Sequence, residues 1–134
     1  MTRQNGAIMS QRSLNALVDR YIATWNEPEP DVRRKMIDEL WAEDGTYYNR
    51  LFVCQGRDMV EAAVSTAYRE YSAKGFAFKS RNDAYGHHGG VKFGWVLAAR
   101  STGEVDTFGE EFLILDGSGQ IVADYQFGLR PPAI

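Results

Sequence analysis

The sequence predicts an α+β domain in which helices come first and an antiparallel sheet follows. Before residue 75, apolar residues recur every three or four positions in three segments, which is the spacing of helices with one buried stripe. Beyond Phe76, β-rich runs alternate with glycine-containing turns. Segregated helices and strands are typical of α+β folds. The length of 134 residues suits one ordinary domain, so we treat residues 1–134 as a single domain.

The first two helices are predicted in the segment that precedes residue 42. Apolar spacing places the first helix from about Ser10 to Asn26. Pro28 and Pro30 block its continuation, and Asp31 is placed to cap a second helix. The buried side of this second helix is expected to comprise Val32, Met36, Ile37, Leu40 and Trp41.

A third helix is predicted to open at "GRDMVE". Asp58 is expected to cap it, with Glu61 three residues later in a capping-box arrangement. Its apolar stripe is expected to comprise Met59, Val60, Ala63, Val64, Ala67 and Tyr71. The strand-like runs that follow are "FAFKSR", "VKFGWVLAAR", "VDTFGEEFLIL" and "QIVADYQFG", separated by "GHHGG", "STGE" and "DGSGQ".

The predicted sheet is apolar on both faces. In "VKFGWVLAAR" both alternating sets of side chains are largely apolar, and in "EEFLIL" apolar residues again fall on both sides. Three short helices can cover one face of such a sheet. We therefore expect the outer face to pack against a second subunit, which would give a homodimer.

Composition and charge exclude several classes of partner. The net charge is −3, and no clustered basic face is predicted, so the sequence does not favour nucleic acid. Cys54 is the single cysteine, which favours a reducing compartment. No apolar run reaches the length of a membrane span, and the first residues lack the apolar centre of a secretory signal. We therefore expect a cytoplasmic protein without membrane association.

Several polar residues fall in strand-like segments where solvent-facing positions usually carry charges or threonine. In "LWAEDGTYYNR", Tyr47 and Asn49 share one strand face, and we interpret them as groups that look into a pocket. Glu111 has apolar strand neighbours, so a buried location would require a partner or a raised pKa. Strict alternation alone would leave Asp124 on the solvent face, with Tyr125 and Phe127 buried.

His87 and His88 lie in "GHHGG". Adjacent strand residues point to opposite faces, so the pair is poorly suited to chelate a metal. Flanking glycines predict a hairpin tip at the rim of the pocket instead. No nucleophile elbow, dinucleotide fingerprint or cysteine-based metal spacing occurs, so we expect no cofactor and no metal.

The order of predicted elements, with "RYIATWN", "LWAEDGTYYN" and "GRD" at these positions, resembles the nuclear transport factor 2-like superfamily and its SnoaL-like branch. The resemblance implies a cone-shaped barrel in which a strongly curved antiparallel or mixed sheet wraps around the N-terminal helices and encloses a pocket. Members include polyketide cyclases, limonene epoxide hydrolase, ketosteroid isomerase and proteins that only bind ligands. Fold alone therefore leaves the function open.

The similarity to limonene epoxide hydrolase implies specific roles. Tyr47 and Asn49 would hold an attacking water, and Asp124 in "ADY" would act as its base. The Arg-x-Asp pair that supplies the acid in that enzyme is replaced here by Phe93 and Trp95. Glu111, on the neighbouring strand, is the candidate replacement acid, provided that apolar neighbours raise its pKa.

The other templates imply different roles for the same side chains. Tyr21 matches the oxyanion-binding tyrosine of ketosteroid isomerase, but Asn49 occupies the position of the general base and cannot accept a proton at neutral pH. SnoaL-like cyclases are similar in needing one acid/base residue on a late strand, which Asp124 supplies. The pocket wall implied by the resemblance comprises Tyr21, Trp25, Phe93, Trp95 and Gln126.

These observations predict a domain that binds a small, largely apolar molecule. Acid/base catalysis of the hydrolase, isomerase or cyclase type is expected, with Asp124, Tyr47, Asn49 and Glu111 as the catalytic residues. The alternative is a non-catalytic module of the same fold that binds a ligand or a protein.

Overall fold

The computed structural model describes residues 9–129, which form three α-helices and seven β-strands. The helices are α1 (Gln11–Asn26), α2 (Pro30–Leu40) and α3 (Arg57–Glu70), and a short 3₁₀ turn follows at Ser72–Lys74. The strands are β1 (Trp41–Tyr48), β2 (Val53–Gln55), β3 (Phe76–Ser80), β4 (Tyr85–His87), β5 (Gly90–Ala99), β6 (Val105–Leu115) and β7 (Ile121–Leu129). Within residues 9–129, no helix combines the length and apolar character needed to cross a bilayer.

The strands form one mixed sheet in the order β2-β1-β7-β6-β5-β3, and β4 also pairs with β5. The β1–β7 pair is parallel, and the other pairs are antiparallel. The predicted α+β cone is confirmed, although β2 and β3 remain at opposite ends of the strand order and the sheet does not close into a barrel.

Helix starts follow local chemistry, with two differences from the sequence prediction. Ser10 caps α1 and accepts a hydrogen bond from the Ser13 amide. Helix α2 begins at Pro30, one residue before the expected cap Asp31, because proline is preorganised for the first helical position. Gly56, with φ of 87°, precedes α3, so the predicted Asp58 cap is wrong.

The carboxylates expected in a capping box instead join two helices. Asp58 and Glu61 each lie 2.7 Å from Nη1 of Arg34, and Asp38 lies 2.8 Å from its Nε. The ionic contacts with Arg34 connect α2 to the N-terminal part of α3. The capping-box prediction is therefore wrong, because the acids are drawn to a neighbouring guanidinium.

The buried faces of α2 and α3 also differ from the sequence prediction. Val32 is 43% exposed, whereas Arg33 is only 5% exposed. The Arg33 guanidinium donates to the carbonyl of Glu27 and packs 4.9 Å from the centre of the Tyr68 ring, which accounts for its burial. On α3, two residues expected in the stripe are largely exposed because they border an open cavity: Met59 and Tyr71.

The outer sheet face is apolar, as the sequence predicts. The side chains of Phe112, Tyr125, Tyr48 and Val53 form one row across four strands, and the Tyr48 and Tyr125 rings stack with centres 4.5 Å apart. Phe127 extends this patch and is 56% exposed. A second subunit on this face remains a prediction.

Candidate active site

An irregularity in β7 brings a carboxyl group to the inner sheet face. The pairing of β6 with β7 skips Val122, which creates a β-bulge. The bulge changes the face on which later residues lie, so Ile121 and Asp124 are both buried, each at 0% exposure. Tyr125 and Phe127 face outwards instead. The alternation that would leave Asp124 in solvent is therefore wrong.

Strand register places this carboxyl near a second one. Glu111 lies between Phe93 on β5 and Gln126 on β7. Asp124 lies beside Tyr47 across the parallel β1–β7 pair. The two acids consequently occupy neighbouring strands of the inner face, one pleat apart.

Hydrogen bonds join these acids to an α1 tyrosine and a β5 tryptophan. The Tyr21 hydroxyl lies 2.5 Å from Asp124 Oδ2 and 3.0 Å from Glu111 Oε2. Trp95 donates from Nε1 to Glu111 Oε1 over 2.9 Å. We call Tyr21, Trp95, Glu111 and Asp124 the carboxyl network. All four side chains are buried, and Glu111 is 2% exposed.

Burial dominates the electrostatics of this network. It raises the pKa of Glu111 well above its ordinary value, and the nearby Asp124 charge raises it further. Burial also raises the pKa of Asp124 to about 6, against the opposing effect of hydrogen bonds with Glu111 and Tyr21. Tyr21 stays a neutral phenol, because burial and both carboxyls raise its pKa. We infer that the coupled pair holds one proton and one charge at neutral pH, and we assign the proton to Glu111 because Tyr21 lies in hydrogen-bond contact with Asp124 at the shorter distance.

The available donors then define the direction of the hydrogen bonds. An indole N–H can only donate, so Glu111 Oε1 accepts from Trp95. Tyr21 has one O–H, which it donates to the charged Asp124. Because that hydrogen cannot also be given to Glu111, we infer that the 3.0 Å contact between Glu111 Oε2 and the Tyr21 oxygen forms with Glu111 as the donor. Glu111, Tyr21 and Asp124 thus form a continuous path for a proton.

A cavity of about 830 Å³ opens beside the network, between the inner sheet face, α1 and α3. This volume falls within the range of small-molecule pockets. Glu111 lies in the cavity wall, whereas Asp124 lies behind it. The remaining wall is mainly apolar and aromatic, and includes Tyr21, Trp25, Tyr47, Phe52, Phe78, Trp95 and Leu97.

Only part of the water-holding arrangement expected of Tyr47, Asn49 and Asp124 is formed: Tyr47 and Asn49 both line the cavity. Asn49 Oδ1 accepts hydrogen bonds from the amides of Leu51 at 2.8 Å and Phe52 at 3.0 Å, which close the β1–β2 loop. Tyr47 lines the cavity, but Asp124 does not reach it. The expectation that Asp124 contacts the ligand is corrected, because Tyr21 and Glu111 cover it.

The other expected wall residues divide into two groups. Tyr21, Trp25, Trp95 and Gln126 line the cavity, as the resemblance implies. Phe93 does not, because it is fully buried and packs edge-on against Tyr21 with ring centres 5.4 Å apart. The expectation that Phe93 lines the pocket is therefore wrong, and this residue belongs to the core.

Two features of the wall were not predicted. Cys54 faces the cavity beside Tyr47, its pairing partner on β1. Gly128 also borders it, and a methyl group at this position would have Gln126 Oε1 as its nearest neighbour, at 3.8 Å. A glycine inside a strand pattern such as "DYQFG" is a sequence signal of such an opening.

The histidine pair occupies the β4–β5 hairpin. His88 and Gly89 both have positive φ, 50° and 81°, as a two-residue hairpin turn of this kind requires. The hairpin prediction is confirmed, but the two rings border a separate surface pocket, so the expected place at the cavity rim is wrong. Among residues 9–129, no group of three or more potential ligand side chains is suited to hold a metal.

Comparison by sequence finds no matching family model and no matching curated protein. Comparison by structure finds a candidate isomerase of the SnoaL-like family from Agrobacterium tumefaciens, with a TM-score of 0.81 and 25% identity. The match covers 90% of this chain and 99% of that one.

Two further structures support the same fold. A SnoaL-like protein of unknown function from Burkholderia thailandensis has a TM-score of 0.70 and 13% identity, over 91% of this chain and 99% of that one. A candidate polyketide cyclase from Sinorhizobium meliloti has a TM-score of 0.66 and 13% identity, over 88% and 99% of the two chains. The resemblance inferred from the sequence motifs is thereby confirmed.

Proposed function

We propose that this chain, which has the fold of the nuclear transport factor 2-like superfamily and of SnoaL-like proteins, binds a small, largely apolar molecule and catalyses proton transfer within it. The observation that supports this proposal is the carboxyl network beside an apolar cavity of about 830 Å³. Buried acids with raised pKa values in a cleft are typical of acid/base catalysis.

The proposed proton path has two coupled steps. The Glu111 proton moves from Oε2 to the Tyr21 oxygen while the Tyr21 proton moves to Asp124 Oδ2. Glu111 is then a carboxylate and Asp124 a neutral acid, with no change in total charge. Glu111 next takes a proton from one ligand atom and returns it to another, which isomerises the ligand.

The same geometry favours proton transfer over hydrolysis. Asn49 uses its carbonyl oxygen to close a loop, and Asp124 lies behind the wall. A water held between Tyr47 and Asn49 would lack direct contact with Asp124 as a base. Among the hydrolase, isomerase and cyclase types, we therefore propose an isomerase-type proton transfer.

One observation favours a second candidate, a ligand-binding module without turnover. Both carboxyl oxygens of Glu111 already have hydrogen-bond partners, Trp95 on Oε1 and Tyr21 on Oε2. Buried hydrogen bonds of this kind can serve stability or specificity alone. Asp124 Oδ1, however, has no hydrogen-bond partner among residues 9–129. The catalytic proposal requires that a remaining lone pair of Glu111 be presented to the ligand.

Deuterium exchange provides a test that does not require a known substrate. Flat apolar ketones would be incubated with the protein in D₂O, and loss of α-proton signals would be followed by ¹H NMR. We expect catalysed exchange with the wild-type protein and a decrease of about 10²–10⁴-fold for Glu111→Gln. Exchange at the same rate in both proteins would exclude Glu111 as the acid/base residue.

A matched control and a binding readout sharpen this test. Glu104→Gln makes the same charge change at an exposed position ahead of β6, so exchange should be unchanged. Binding can be followed separately through Cys54, the single cysteine, whose alkylation should slow when a ligand fills the cavity. Protection of Cys54 without exchange for any compound would favour the binding module.

We also propose that two copies associate through the outer sheet face. The exposed aromatic row and Phe127 are apolar, and all three helices pack on the opposite face. Sedimentation at micromolar concentration should show a dimer, and Phe112→Glu should shift it to a monomer. A monomeric wild-type protein would contradict this assembly.

A further inference from the structure

The indole of Trp95 crosses from β5 onto β6 at a glycine. Trp95 pairs directly with Gly109, and a Cβ atom built on Gly109 would overlap Trp95 Cζ2 and lie 2.8 Å from Cε2. The same atom would lie 2.6 Å from the Phe127 carbonyl oxygen. The absence of a side chain at residue 109 is therefore what allows the indole to lie flat on the neighbouring strand.

This crossing delivers the indole N–H to the carboxyl group two residues further along β6. Trp95 Nε1 donates to Glu111 Oε1 over 2.9 Å. On β5 the cross-strand neighbour of Glu111 is Phe93, which carries no donor, and on β7 it is Gln126. Phe78 packs edge-on against the Trp95 ring, with centres 5.8 Å apart, and supports its orientation.

We propose that Trp95 is a positioning residue, which holds Oε1 of Glu111 as an acceptor so that its exchangeable proton stays on Oε2, facing Tyr21. Gly109 provides the space that this orientation needs. The inference rests on the proposed function, because the orientation matters for proton transfer along Tyr21 to Asp124. Without the indole, the carboxyl group can turn, and either oxygen can carry the proton.

The first test observes the hydrogen bond between Trp95 and Glu111 in the wild-type chain without ligand. The ¹H and ¹⁵N shifts of the Trp95 indole N–H would be followed across pH. They should change with the same midpoint as the Glu111 carboxyl, since the acceptor becomes charged, and this change should vanish in Glu111→Gln. The buried Trp41 indole serves as an internal control. A Trp95 signal that does not move while Glu111 titrates would overturn the inference.

The second test separates the hydrogen bond from simple packing. Trp95→Phe keeps a ring but removes the donor, so the Glu111 midpoint should rise by about one pH unit. The exchange kcat should fall about tenfold, with a smaller change in KM. Trp25→Phe removes a second indole from the same cavity wall, which is not bonded to Glu111, and should leave the midpoint in place.

The results distinguish failure of this inference from failure of the proposed function. Equal midpoint shifts in Trp95→Phe and Trp25→Phe would reduce Trp95 to a packing residue and overturn the inference. If Trp95→Phe does not fold, the wild-type indole titration decides. If that titration is seen but no ligand proton exchanges, the proposed function fails, while the orientation of Glu111 by Trp95 is supported.

Discussion

The inner face of the sheet has two halves that are built from the same strands but filled differently. In the packed half, Val91, Leu113 and Ile121 meet Leu17 and Ile37 from the helices, and all five side chains are almost completely buried. In the open half, shorter or polar residues leave a cavity, among them Thr107, Glu111, Gln126 and Gly128. We infer that one half supplies stability and the other supplies the candidate site.

The bulge at Val122 marks the boundary between these halves on β7. Ile121, before the bulge, belongs to the apolar core, and Asp124, after it, belongs to the carboxyl network. Burying two acids opposes folding, because each carboxyl must leave water. The packed half has to offset that cost, so substitutions in the two halves should have separable effects.

The largest effect on stability is expected in the packed half. Ile121→Ala removes three carbon atoms from a fully buried position and leaves a cavity. Unfolding free energy should fall by about 2–5 kcal/mol, as measured by urea denaturation. A loss below about 1 kcal/mol would mean that the site collapses around the smaller residue and that this half is less tightly packed than described.

The carboxyl network should make stability depend on pH. Between about pH 4 and 6, the folded protein holds a proton at Asp124 that the unfolded chain has lost, so unfolding free energy falls as pH rises. A pKa raised from 3.8 to about 6 corresponds to roughly 3 kcal/mol across this range. Glu111, whose pKa is also raised, extends the same trend to higher pH.

Urea denaturation at a series of pH values measures this slope. Asp124→Asn cannot titrate, so its stability should change less between pH 4 and 6 than that of the wild-type protein. Glu104→Gln removes one carboxyl group at an exposed position in the same way and should keep the wild-type slope. Equal slopes for all three proteins would show that Asp124 titrates as an ordinary carboxyl.

A smaller effect on stability, with a large effect on binding, is expected at Gly128. A side chain here meets Gln126 Oε1 at 3.8 Å and otherwise projects into the cavity. Gly128→Leu should therefore change the unfolding free energy by less than about 1 kcal/mol. Ligands that slow Cys54 alkylation in the wild-type protein should no longer do so. If ligands still slow Cys54 alkylation in Gly128→Leu, they bind outside the part of the cavity that this side chain would fill.

A modest effect, confined to stability, is expected at the loop beside the cavity mouth. Asn49→Ala removes the acceptor for the Leu51 and Phe52 amides and should cost about 1 kcal/mol. Asn49→Asp keeps an oxygen that can accept from both amides, so stability and any proton exchange of the ligand should be retained. If Asn49→Asp abolished exchange while preserving stability, the amide itself would take part in the chemistry, as the hydrolase resemblance implies.

Local chemistry made much of the fold predictable. The Ser10 cap and the apolar spacing up to Asn26 define α1 without reference to distant residues. Proline and glycine positions likewise mark the breaks between elements. The capping box at Asp58 failed because Arg34, 24 residues earlier in the chain, competes for the same carboxylate. A competitor brought close by tertiary packing cannot be read from the local sequence.

The candidate site was predictable as a set of residues but less so as an arrangement. All three main residues were identified from sequence: Tyr21 and Asp124 through the family resemblance, and Glu111 through its apolar strand neighbours. Their mutual hydrogen bonds depend on the bulge at Val122, which shifts the inward positions of β7 by one. Strict alternation misses such a shift, because nothing in the period-two pattern marks the extra residue.

The central claim is that Glu111 and Asp124 share one proton at neutral pH, and ¹³C NMR of the side-chain carboxyls tests it most directly. We expect one carboxyl signal with a midpoint near pH 6 and a second well above the ordinary range, both altered in Glu111→Gln and in Asp124→Asn. If every aspartate and glutamate titrates below about pH 5, the pair shares no proton at neutral pH and the claim is contradicted.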